Sequence, residues 1–248
     1  MSARDLGRAA FLIVRRKAAA TRSLPALFAG FCALLGLLWG KDSFGLALRA
    51  FLLLFPYFFL FLSQDLFHDE IASGALENVI FVNGRFREYL QAKLGITAAI
   101  GLGAGLAAFA VLTSLGFLSG AARVDLGMAA AQFLVGLLAG LYYLLAGGCL
   151  SFFFRAGANV VVVVFAQIAL AAGFFLSMTS RQGWVEEVLS DGPGGLVAKL
   201  RFLGLSLVFP NAAVVRRQPL CVSGLALAAV ILYFFAKRRI RRLELYRI

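Results

Sequence analysis

The chain has 248 residues, of which 62 % are hydrophobic and only 15 % charged, whereas a water-soluble domain runs at roughly 45–50 % and 25 %. Twenty-four basic and twelve acidic residues, a net charge of +12, cannot furnish the surface of a soluble body of this size. The basic residues gather beside apolar runs and not along an aromatic-laced groove, so they read as determinants of topology facing anionic lipid and not as a nucleic-acid footprint.

In chain order, residues 2–20 predict an interfacial helix. At about 100° per residue, Arg4, Arg8 and Arg15 share one face, and Leu6, Ala10 and Ile13 share another. No cleavage site of the Ala-x-Ala kind follows promptly, so no cleaved signal peptide is expected. A hydrocarbon layer ~30 Å thick needs about 20 apolar residues per helix. Six segments satisfy this: 24–40, 47–64, 95–118, 126–150, 158–178 and 218–236. No alternating strand pattern competes with them.

The expectation is an all-α polytopic membrane protein of about six transmembrane helices, folded as a single transmembrane domain over 1–248. With both termini cytoplasmic, sixteen Lys and Arg residues lie inside and seven outside, with Arg49 at the lip of the second span. Segment 65–94 is then a cytoplasmic loop. Segment 179–217 is an outer one, in which the apolar stretch 202–209 before Pro210 is too short to cross and reads as re-entrant.

Within the spans, Pro56 predicts a kink. Gly101 with Gly105, and Gly136 with Gly140, stand four apart, a spacing that lets helix backbones approach. Gln132 and Gln167 are the main polar residues at depth. Cys32, Cys149 and Cys221 lie in or beside apolar runs and read as small buried hydrophobes without a disulfide framework.

Chemistry is scarce. His68 is the single histidine, so neither a histidine metal site nor a Ser-His-Asp triad can be assembled, and Glu186-Glu187 lacks the histidine ligands of a metalloprotease. No Gly-x-x-x-x-Gly-Lys-Ser/Thr phosphate loop is present. No catalytic, cofactor-binding or metal-binding residue is expected on this chain.

The informative segment is 65–94. Its start reads as a short helix leaving the membrane, with Glu70 and Glu77 two turns apart on nearly one face and Leu76 able to anchor the other. Gly74 permits close approach of a partner, and Asn83-Gly84 marks a turn before the chain returns to the bilayer. On Glu70, Gly74, Leu76, Glu77, Val79, Ile80, Glu88 and Lys93, this stretch resembles the coupling loop of ABC-2-type ABC transporter permeases. Ile71, Ala75, Asn83 and Ala92 depart from that family's usual base, Thr, Pro and Gly.

The resemblance implies the permease subunit of an exporter in the bacterial inner membrane, with Glu70, Gly74, Leu76 and Glu77 contacting an ATPase. It implies two permease copies, paired as a homodimer, above two ATPase chains that hold the ATP and Mg. The nearly uncharged, phenylalanine-rich spans suit an amphipathic or hydrophobic substrate. The alternatives are a membrane-bound enzyme or assembly factor, or an ion-coupled carrier, working without an ATPase partner.

Overall fold

The computed structural model describes residues 4–5, 7–8, 11–12, 15, 44–64, 66–68, 86–118, 126–155, 157–179, 196–216 and 219–245. Among them are seven helices, α1 (Phe44–Leu62), α2 (Phe86–Leu118), α3 (Leu126–Leu150), α4 (Ala158–Thr179), α5 (Leu196–Val208), α6 (Asn211–Arg216) and α7 (Pro219–Leu245), and no strand. The described residues near the N-terminus are helical, with Arg4, Arg8, Phe11, Leu12 and Arg15 all exposed. The first expected span, 24–40, lies outside the described residues.

Three helical stretches are long and apolar enough to cross a membrane: Gln91–Leu118 in α2, Gly127–Leu150 in α3 and Pro219–Ile240 in α7. Two shorter apolar stretches, Ala47–Leu62 in α1 and Ala158–Gly173 in α4, accompany them. Their outward faces are apolar. On α4, Val161, Phe165 and Ile168 are 65 %, 70 % and 60 % exposed, and on α7 Leu227, Ile231 and Phe234 are similarly bare. Water would penalise such faces and hydrocarbon does not, so the fold is that of a membrane protein.

Two boundaries differ from the sequence expectation. The return stretch of the 65–94 loop is not a separate element, because α2 starts at Phe86 and runs unbroken into the span. The basic residues after 236 likewise continue α7 to Leu245. Both extensions are rich in good helix formers, and nothing in either breaks the hydrogen-bond ladder.

α3 is the hub, packing on α1 and α7 most extensively and also on α2, α4 and α6. Half of its apolar window is buried, against 17 % in α2 and 22 % in α7, which places the latter two at the periphery. The core between α1, α2 and α3 is aromatic. Phe51, Phe55 and Phe59 line one side of α1 and are almost fully buried. The ring of Phe133 lies 4.4 Å from that of Phe109 and 5.5 Å from that of Phe55.

The glycine pairs serve this column. A Cβ on Gly105 would strike the Phe55 ring, and one on Gly101 or Gly140 would strike the ring of Phe59. Gly136 alone faces backbone, the carbonyl of Leu52. The expected backbone-to-backbone approach is therefore mostly ring-on-glycine packing. α1 passes through Pro56 as one continuous helix.

Candidate functional site: a polar cluster at a broken helix

α5 stops at Val208 because Pro210 has no N–H to continue the ladder. Phe209 N still donates to Leu205 O at 2.7 Å, and the chain restarts as α6, with Ala212 N donating to Phe209 O and Ala213 N to Pro210 O. The last carbonyls of a helix have no partner within it, and in hydrocarbon each would cost several kcal/mol, in the range of roughly 2–7. Side chains from neighbouring helices supply the missing donors. Tyr142 of α3 donates its hydroxyl to Leu207 O at 2.7 Å. Gln167 of α4 donates through Nε2 to Val208 O at 3.0 Å.

Gln167 is the centre of the cluster. Its Oε1 accepts from the Tyr57 hydroxyl of α1 at 2.8 Å, and its Nε2 also donates to the Tyr143 hydroxyl of α3 at 2.7 Å. Tyr57 and Tyr143 stack with ring centroids 5.3 Å apart. One amide thus joins α1, α3, α4 and α5. Both amide protons and the carbonyl are engaged, which makes the network closed and rigid.

Asn211, the first residue of α6, reaches the other way and donates Nδ2 to Leu53 O of α1. Its Oδ1 is buried and has no hydrogen-bond partner. The break sits level with Leu53 and Gln167. Gln167 lies nine residues into α4, about 14 Å along its axis at 1.5 Å per residue, close to the middle of that helix.

A second polar junction ties helix ends together. Asn159, fully buried at the start of α4, donates to Ser63 O beyond the end of α1 at 3.1 Å and to Gly147 O of α3 at 2.9 Å. Gly157 ahead of it has φ +85°, and a Cβ there would meet the Gln64 amide, so only glycine closes the corner between α3 and α4.

Of the residues named from the sequence, Gln167 takes a central place, whereas Gln132 is half-buried and outside the cluster. Arg49 is exposed on α1. Cys149 and Cys221 are buried, as expected, and neither is in a disulfide. Glu70, Gly74, Leu76 and Glu77 lie outside the described residues, as does the acidic part of 179–195. Tyr57, Tyr142, Tyr143 and Asn211 were not singled out by sequence. The available signal was a phenol or amide inside an apolar run, together with Pro-Asn after a stretch too short to span. Among the described residues no group of His, Cys, Asp and Glu is placed to hold a metal ion.

Gln167→Leu is expected to leave Val208 O and two hydroxyls without this partner. At ~0.6 kcal/mol per membrane hydrogen bond the loss is about 2 kcal/mol. Thermal unfolding in detergent should register it as a clear fall in midpoint, with Gln132→Leu changing little.

No protein-family model, curated protein or solved structure matches the chain.

Proposed function

We propose that this chain is the membrane-spanning permease subunit of an ABC-2-type exporter, moving an amphipathic or hydrophobic substrate with energy from a separate ATPase. The observation that carries the reading is the segment between α1 and α2, where Glu70, Gly74, Leu76 and Glu77 stand in the pattern of a coupling loop. In this reading the first span, α1, α2, α3, α4 and α7 make six crossings, with both termini in the cytoplasm of a bacterial cell. The stretch 179–217 is an outer re-entrant segment whose tip is the break at Pro210. Two permease copies pair, most simply as a homodimer, over two ATPase chains that bind ATP and Mg.

The architecture supports this in one respect. α1 and α2 flank the loop, and the end of α1 is held to α3 and α4 through Asn159. Tyr57, less than two turns before that end, connects through Gln167 to Val208 at the broken helix. A push on the loop therefore has a contiguous, hydrogen-bonded route to the outer segment, and alternating access needs such a two-position element.

The test is gentle purification of the protein from its native host. An ATPase with a phosphate loop should accompany it in a one-to-one ratio, and its turnover should change when permease is added back. If no ATPase accompanies or responds to the chain, the carrier or enzyme alternatives take over.

A further inference from the structure

The corner between α3 and α4 exposes an unusual combination. Phe153 and Phe154 are 58 % and 39 % exposed, and Arg155 beside them is exposed as well. The end of α7 comes to the same place. Cys149 Sγ lies 3.5 Å from Leu232 O, and two turns further along α7 the Arg239 guanidinium sits 5.4 Å over the Phe153 ring. Lys237 Nζ is 6.0 Å over the ring of Phe234, itself 58 % exposed, and Arg238 is exposed between them. Among the described side chains of α1 to α7, Glu88 is the only acidic one, whereas Arg155, Lys237, Arg238 and Arg239 gather here.

Bare phenylalanine faces need hydrocarbon, whereas guanidinium groups at the same level need anionic oxygen. A phospholipid with a net negative headgroup supplies both from one molecule: its phosphate to the planar forks of Arg155 and Arg239, its chains to Phe153 and Phe154. A soluble acidic protein would satisfy the cations and leave the rings wet. The corner is also preformed, since Gly157 and Asn159 fix its backbone on the ends of α1 and α3.

We propose that the α3–α4 corner and the end of α7 form a binding site for an anionic phospholipid, with Arg155 and Arg239 holding the headgroup and Phe153 and Phe154 its chains. The site is independent of whether an ATPase drives the protein.

The experiment titrates dioctanoyl phosphatidylglycerol, with dioctanoyl phosphatidylcholine as control, into the detergent-purified full chain and counts bound lipid by native mass spectrometry. Phosphatidylglycerol should bind on the order of tenfold more tightly than phosphatidylcholine. Arg155→Gln and Arg239→Gln should each weaken it roughly fivefold. Lys199→Gln, on α5 near the far end of α7, should not. Equal binding of the two lipids by the wild-type chain overturns the proposal, as does an unchanged preference in the double variant. Full displacement of phosphatidylglycerol by inorganic phosphate or by a soluble poly-glutamate peptide overturns it too, since either would assign the cations to a free anion or a protein partner.

Discussion

Gly105→Ala is expected to destabilise the protein by about 1–3 kcal/mol, the usual cost of overpacking a filled core, even though alanine is the better helix former. A Cβ at this position would enter the ring of Phe55. That ring cannot swing aside, because Phe51, Phe59 and Phe133 each stand with centroids 5.5 Å away and the side chain is only 4 % exposed. The same substitution at Gly103, two residues earlier and on nearly the opposite face of the helix, meets nothing within 4 Å. Gly103→Ala should be neutral, or stabilising by up to ~1 kcal/mol through helix propensity. Thermal or SDS-induced unfolding of the two variants separates the effects, since both change the same helix by one methyl group. Equal behaviour of the pair would mean that the aromatic column does not rest on the glycine.

Glu77→Lys is expected to abolish both ATPase association and transport if the proposed coupling contact is right. The substitution reverses the charge at one of the two acidic positions, Glu70 and Glu77, that the sequence pattern assigns to the coupling contact. If Glu77 faces a cation of the partner, the new lysine sets like charges together at a cost of several kcal/mol, so an association that survives purification should fall by roughly a hundredfold or more. Co-purification of the ATPase and transport-dependent ATP turnover measure the two arms. If residue 77 acts only in coupling, the variant still inserts and unfolds at the wild-type midpoint, and that readout keeps loss of coupling distinct from loss of fold. Wild-type association and transport in this variant would remove the contact from the mechanism.

The membrane character and the all-helical build of the described residues were legible in the sequence, because solvation by hydrocarbon acts on each apolar helix separately and needs only some twenty apolar residues in a row. The 126–150 segment coincides with α3, and 158–178 falls one residue short of α4. The short apolar stretch before Pro210 was readable as something other than a crossing for the same local reason, and Gln167 stood out as an amide in a run of valines and alanines.

What the tertiary structure decided is partnership. Four-residue glycine spacing is the same whether a helix backbone or a phenyl ring fills the notch, and only the placement of α1 against α2 and α3 assigned Gly101, Gly105 and Gly140 to the rings of Phe59 and Phe55. Gln167, Tyr57 and Tyr143 are separated by up to 110 residues in sequence, and neither periodicity nor composition couples positions so distant. They meet because the carbonyls left open by Pro210 must find donors where water is absent, and the donors that reach them depend on how α1, α3 and α4 are packed around the break.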